Sequence, residues 1–237
     1  MSLLIETNKL KILMDMGQSD AFYRNAISLG IDLSLVDIAF ISHGHYDHGG
    51  GLETFFNINE KAPVYVNMYA FEPHFNGKDK YIGLDEKLKD SKRIHFLTND
   101  TKISENITIF TGHQRKSNHV FDNFGQQMLL DGKMFPEDFR HEQYLEIQEN
   151  SKTFIFSGCS HRGIENILNW FRPDVFVGGF HFTKIKPGPE LKAYGTRLNK
   201  YLTHYYTCHC TGTEQFDFLK QYIQKLDYIS CGKTIII

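Results

Sequence analysis

The stretch Asp37-Ile38-Ala39-Phe40-Ile41-Ser42-His43-Gly44-His45-Tyr46-Asp47-His48-Gly49-Gly50-Gly51 decides the reading of this chain. Residues 36–41 form a short apolar run of the kind that a buried strand requires. The run leads directly into three histidines and an aspartate, which it delivers onto a tight loop at its C-terminal end. In extended backbone, side chains alternate with period two, so His43 and His45 point the same way. A turn into a helix after Asp47 swings Asp47 and His48 toward a second point nearby. Gly44 and the glycines at 49–51 let the backbone bend closely around whatever these side chains bind. Imidazole and carboxylate donors suit zinc, iron or manganese. One short segment can therefore supply two ligands to each of two adjacent ions, and polar surface turns rarely hold this pattern between a buried strand and a helix start.

Working outward, residues 2–6 and 10–14 read as a hairpin, and 15–17 break it. Ser19 or Asp20 can cap a helix that runs to about Leu29 and stops at Gly30. Residues 51–56 open another helix, and 63–67 are rich in β-branched and aromatic residues, as strands are. The segment 71–90 is polar, aromatic and irregular, an insertion or a lid. Strands follow at 94–97 and 107–111. Residues 114–139 are mixed, with Gly125, Asp131-Gly132 and Pro136 as turn signals. A hairpin at 144–147 and 153–157 precedes a helix at 164–171 and a strand at 175–177. A helix at 189–204, a strand at 205–207, a helix at 214–225 and a C-terminal strand at 233–237 complete the pattern. No linker or repeat interrupts it, so the chain reads as one domain, 1–237, of mixed α/β layers.

Bulk composition narrows the function. The chain has 237 residues, 41% hydrophobic and 23% charged, which is ordinary for a soluble globular protein. A formal charge of −2 gives no global field for nucleic acid or acidic membrane. No apolar run approaches the ~20 residues needed to span a bilayer, and no secretory signal opens the chain. Cys159, Cys208, Cys210 and Cys231 do not form a disulfide framework, so reduced thiols in a cytoplasmic protein are expected. The expected partner is a small-molecule substrate; the oligomeric state is left open.

Ser42-His43-Gly44-His45-Tyr46-Asp47-His48 resembles the signature of the metallo-β-lactamase superfamily. Leu13-Met14-Asp15-Met16-Gly17 is similar to its early aspartate loop, and Cys208-His209-Cys210-Thr211-Gly212 to its late metal-binding histidine. With Ser157-Gly158-Cys159-Ser160-His161-Arg162-Gly163-Ile164, these segments point to a branch that includes archaeal dihydropterin ribofuranosyl-aminobenzene phosphate synthases. The resemblance covers residues 2–212 and implies a four-layer αββα sandwich with metals at one edge of two sheets. Relatives usually carry a further strand ahead of residue 2. Either that strand is absent by nature or the sequence is truncated.

Carried over position by position, the resemblance gives His43 and His45 to a first metal, and Asp47, His48 and His209 to a second. The third ligand of the first metal is His161 or His113, and the pattern of this branch favours His161. Cys159 stands where most relatives have a bridging aspartate, so it either binds metal as a soft ligand or packs. One zinc ion or two are both open, with iron or manganese as alternatives. Asp15 either accepts hydrogen bonds from the histidine loop or caps a turn. His181, after Gly178-Gly179, is either a substrate or proton-transfer group or a structural residue. His141-Glu142-Gln143 also matches the branch, without a role, and both neighbours of His209, Cys208 and Cys210, are expected to pack. His74, His95, His119 and His204 are expected on the surface or in the core.

The function implied is a hydrolase in which metal-bound hydroxide attacks a small ester-like substrate, a phosphodiester, lactone or thioester, with Asp47 orienting the water. The alternatives are a synthase or transferase acting on a phosphorylated pterin-related substrate, or a di-iron redox protein.

Overall fold

The hairpin expected at the start of the chain forms, with Leu3–Glu6 antiparallel to Lys11–Met14. From Lys11–Met14 the sheet continues through three parallel strands, Ile38–Phe40, Val64–Asn67 and Ile94–Leu97. Parallel neighbours need crossover connections. The helix Ala21–Ser28 makes the first, and Tyr46–Gly49 with Leu52–Ile58 makes the second. Asp20 occupies the N-cap of the first helix without a side-chain capping bond. Leu13, Ala39, Ile41, Phe55, Val64 and Val66 pack into the core beneath this sheet. Register then fixes what matters for function. Met14 pairs with Phe40, so Asp15 and Ser42 leave the same sheet end side by side.

The structure, a computed structural model, describes residues 1–236 and divides into two compact units. The first comprises Met1–Asn99 and Gly125–Gln143; the second comprises Asp100–Phe124 and the chain from Tyr144 onward. Besides the five-stranded sheet, the first unit holds a four-stranded antiparallel sheet of Lys133–Pro136, Gln126–Leu130, His74–Asn76 and Lys80–Tyr81, in that order. The segment 71–90 is thus partly regular, and Asp131-Gly132, both at positive φ, form the tight turn of a hairpin.

The second unit is built on a seven-stranded sheet. Its order is Leu226–Tyr228, His204–Thr207, Val175–Gly178, Lys152–Phe156, Gln143–Glu149, Ile107–Thr111 and Thr101–Ser104. The first four are mutually parallel, and one helix crosses between each pair: Ile164–Phe171, Pro189–Leu198 and Thr213–Leu219. Both later helices are shorter than their sequence pattern. The first stops at Leu198, whose carbonyl accepts the Tyr205 hydroxyl, because the chain must turn back there to begin the next strand. The last strand is Leu226–Tyr228, where Leu226 is buried; residues 233–236 form no strand and Ile236 is exposed. Ile237, the end of the expected strand, lies outside the described residues.

No helix among the described residues is long and apolar enough to cross a membrane. Ile155 lies fully buried in a central strand, packed within the core of the second unit. Ile155→Ala is expected to cost about 2–5 kcal/mol of stability, read as a lower denaturant midpoint. An unchanged midpoint would show that this core is not load-sharing.

Candidate metal centre

Asp15 is the fixed point of the histidine loop. It is fully buried, sits at φ 58°, and follows directly on its strand. Its Oδ1 accepts the backbone N–H of Ser42 at 2.7 Å, and its Oδ2 accepts the Ser42 hydroxyl at 2.7 Å and His48 Nδ1 at 2.6 Å. An ionised carboxylate only accepts, so His48 carries its proton on Nδ1. Ser42 gives its one hydroxyl proton to Asp15, so it accepts from His43 Nδ1, 2.9 Å away. Both imidazoles therefore hold the Nδ1–H tautomer and direct the Nε2 lone pair away from the anchor. This is the arrangement that metal-bound histidines adopt when a carboxylate or hydroxyl orients them. The hydrogen-bonding alternative left open for Asp15 in the sequence is the one that forms.

His43, His45 and His48 are buried together, with ring centroids 4.6 Å apart for His43–His45 and 4.0 Å for His43–His48. Burial, then the neighbouring His141 and His74, push the His45 imidazole well below its usual value. His45 is thus neutral at pH 7, the form that binds metal. Asp47 stands at the rim, its side chain 34% exposed and its Oδ2 3.7 Å from His48 Nε2. The helical turn begins at Tyr46, one residue before Asp47, with His45 at its N-cap. Gly44 is required by close packing, since a Cβ there would meet the Ala70 carbonyl oxygen at 2.2 Å.

A second group braces this loop from the far end of the first unit. The backbone N–H of Gly44 donates to His141 Nδ1 at 2.8 Å. Gln143 adds two more ties: its N–H donates to Ser42 O and its Nε2 to Ile41 O, both at 2.8 Å. His141 Nε2 faces Glu137 Oε1 at 3.6 Å, and Glu137 Oε2 accepts from His74 Nδ1 at 2.7 Å. Burial works against a charge on Glu137, yet the hydrogen bonds and charges of His141 and His74 outweigh it and hold the carboxyl well below its usual range. Burial, with His74 adding to it, lowers His141 to about 4 against the pull of Glu137. His141-Glu142-Gln143 thereby gains a role. His74, expected on the surface or in the core, is a fully buried member of the group, and Glu137 had no signal in the sequence.

In the second unit, Cys159, His161 and His181 bring one donor atom each within 4.8 Å of one another. Cys159 and His161 are buried and His181 is partly so. Burial opposes a thiolate on Cys210, but hydrogen bonds with Cys159 and His181 and the charges of His181 and His209 hold it well below its usual value. His209 opens the turn His209–Thr211 and is exposed. Thr211 ties that turn to the neighbouring strand end by accepting the N–H of Phe180 at 2.8 Å. His113 is half-buried in the turn Gly112–Gln114 and belongs to no cluster of three potential ligands among the described residues. Ser160, His181 and His209, like Asp15, have positive φ without being glycine. Such backbone is uncommon and costly, and it gathers where side chains must be aimed.

A family model described as the metallo-β-lactamase superfamily matches residues 1–124. The chain belongs to that superfamily and has its mixed α/β fold. Among solved structures it is similar to Tm1679, a metal-dependent hydrolase of the β-lactamase superfamily, with 29% identity and a TM-score of 0.78 over 95% of this chain and 88% of that one. An uncharacterised protein of Methanocaldococcus jannaschii is 28% identical over 99% of this chain and 91% of its own length. The 7,8-dihydropterin-6-methyl-4-(β-D-ribofuranosyl)-aminobenzene-5'-phosphate synthase of the same organism is 23% identical over 98% and 86%.

Asp15→Asn puts an amide donor opposite the Ser42 and His48 donors. Metal affinity, measured by competition with a chromogenic chelator, is expected to fall about 10–100-fold; an unchanged affinity would remove Asp15 from its orienting role. The His141 brace makes a separate prediction for the metal-free protein. As pH falls from about 6.5, His141 takes up a proton in the unfolded chain before it does so in the folded one. Stability is therefore complete above about 6.5 and is lost progressively toward about 4. His141→Asn, which keeps an acceptor for Gly44, should flatten this part of the stability–pH curve, and an equally steep curve in the variant would contradict the assignment.

Proposed function

We propose that the chain is a metal-dependent hydrolase acting on a small ester-like substrate, a phosphodiester, a lactone or a thioester. The observation that carries this reading is the buried set of histidines whose tautomers Ser42 and Asp15 fix for metal binding. His43, His45, Asp47 and His48 are the donors of the first unit, and His161, His209 and Cys159 those of the second. The assignment of each follows the superfamily pattern. Imidazole with carboxylate and thiolate suits zinc, one ion or two, ahead of iron or manganese.

A bound divalent ion supplies Lewis-acid polarisation of the scissile group and water acidic enough to attack at neutral pH. The chain's own residues do the rest. Asp47, whose carboxylate reaches solvent, accepts a hydrogen bond from the attacking water and orients it. Asp15 and Ser42 keep the His43 and His48 lone pairs aimed as the substrate enters. His141 and Gln143 hold the loop backbone, so that the ligands do not swing.

The similarity to the dihydropterin synthase over almost the whole chain supports a second reading, a transferase acting on a phosphorylated pterin-related compound. Screening the metal-loaded protein against phosphodiesters, lactones, thioesters and phosphorylated pterin precursors separates the two. Turnover of at least one ester is expected, abolished by a chelator and restored by zinc. His45→Ala and His48→Ala should each lose bound metal and turnover together. Full metal content in both variants, or ester turnover that survives chelation, would sink the hydrolase reading.

A further inference from the structure

The second unit carries a cavity of about 600 Å³, within the roughly 300–1,000 Å³ typical of small-molecule sites. Three aromatic side chains line it. Phe121 and Phe124 come from the loop after the turn Gly112–Gln114, and Tyr194 comes from the helix Pro189–Leu198. All three are half-buried and pack against the core of the unit, so the core holds the rings that the cavity exposes. The rest of the wall is the segment 184–190, which joins the strand Val175–Gly178 to that helix. Lys184 Nζ donates to the Phe124 carbonyl at 3.0 Å and ties the two lining segments together.

The cavity adjoins residues already placed at the metal centre. The Phe124 ring lies 5.5 Å from the His181 ring, and His181 lies 4.2 Å from His161, centroid to centroid. His181 Nδ1 is buried and makes no hydrogen bond with the described residues, so a polar group of a ligand can pair with it. Gly163, two residues beyond His161, packs against the same wall: a Cβ there would stand 3.2 Å from Phe121 Cβ. Asn166 fixes the spacing. It is buried, and its Oδ1 accepts the N–H groups of Asn118 and His119, both at 2.9 Å. Its Nδ2 donates to His119 O at 2.7 Å and to Arg162 O at 2.6 Å. Every hydrogen-bonding position of the amide is used, and the aromatic loop is fastened to the chain beside His161. The wall is therefore in place before a ligand arrives, which lowers the cost of binding.

Charges at the cavity cancel in number. Asp122 turns back on its own loop, where it accepts the Phe124 N–H at 2.7 Å, and Lys184 is engaged in the tie. Lys186 and Glu190 are exposed, and neither is in an ion pair among the described residues. Net charge thus contributes little affinity; the rings supply it, and Lys186 orients an anionic group. We propose that this cavity seats the aromatic part of the substrate, a planar ring bearing an anionic group. The ring sits among Phe121, Phe124 and Tyr194, the anion at Lys186, and the scissile group points past His181 toward His161. The inference rests on the hydrolase reading for the scissile end, and narrows its substrate from any small ester to an aromatic, anionic one.

The probe is 2-naphthalenesulfonate, an aromatic anion with no ester to cleave and a poor ligand for zinc, titrated calorimetrically into the zinc-loaded full chain. Hexanesulfonate carries the same anion without the ring. The aromatic probe is expected to bind about tenfold tighter. Lys186→Gln, at an exposed position, should weaken it about two- to fivefold. Phe124→Leu and Tyr194→Leu should each narrow the gap between the two probes. The probe comparison and Lys186→Gln leave the packed wall untouched, so the test survives if an aromatic variant fails to fold. Equal affinity for the two probes, binding of neither, or an affinity indifferent to Lys186→Gln overturns the proposal. Tight aromatic binding without turnover of any ester removes the hydrolase reading and leaves the ligand class of the cavity standing. Ester turnover with equal probe affinities does the reverse.

Discussion

The Asp15 carboxylate is the constraint on which the first unit's site depends. It is buried, and an isolated buried carboxylate is costly enough that it must be fully hydrogen-bonded or neutralised. Its partners are the Ser42 backbone, the Ser42 hydroxyl and His48. Satisfying Asp15 and orienting the histidines are therefore one act. The parallel pairing of Met14 with Phe40 makes it possible, since a shift of one residue would turn the Asp15 side chain to the opposite face. Stability and ligand geometry cannot be altered separately at this point.

The brace behind the loop follows a related logic with the opposite result. His74, Glu137 and His141 also gather three donor atoms within 4.8 Å, which by distance alone describes a metal site. Tautomers argue otherwise. His141 Nδ1 accepts the Gly44 N–H, so the neutral ring carries its proton on Nε2, the nitrogen that faces Glu137. A metal at that nitrogen would require either an imidazolate or the loss of the tie to Gly44. The group is better described as a buried polar brace: Gly44 donates to His141, His74 is hydrogen-bonded to Glu137, and His141 Nε2 faces the Glu137 carboxylate at 3.6 Å. It spends a carboxylate on rigidity, and every link is worth more in a dry interior than it would be in water.

Much of this was legible from local pattern. The apolar run ending at Ile41 marked a buried strand, and the strand–loop–helix punctuation put His43, His45, Asp47 and His48 on one short loop. The strands at 153–157, 175–177 and 205–207 were marked by apolar runs separated by helical periodicity, and Ile164–Phe171 matches its expected bounds. What escaped lies in long-range pairing. His74 meets Glu137 across 63 residues and Gly44 meets His141 across 97, and no local period reports such contacts. His74–Asn76 and Lys80–Tyr81 are too short and too polar to show alternation, so their sheet exists only through its neighbours. The ends of the later helices were lost for a similar reason: helix propensity continues past Leu198, but the next strand needs the chain to turn there.

The backbone records where aim was preferred to comfort. Asp15, Ser160, His181 and His209 all have positive φ, a conformation that costs a non-glycine residue on the order of 1–3 kcal/mol. Asp15, His181 and His209 each stand within three residues of a strand's C-terminal end, and Ser160 follows Cys159. A strand running on in extended backbone would send alternate side chains to opposite faces. A single left-handed residue breaks that alternation and redirects the next side chains without lengthening the loop. Glycine would adopt the same backbone more cheaply, but it has no side chain to present. At these four positions the chain keeps a carboxylate, a hydroxyl and two imidazoles in backbone that glycine would adopt at lower cost, and Phe124, Asp131, Phe139, Asn150, Ser151 and Arg172 share that backbone.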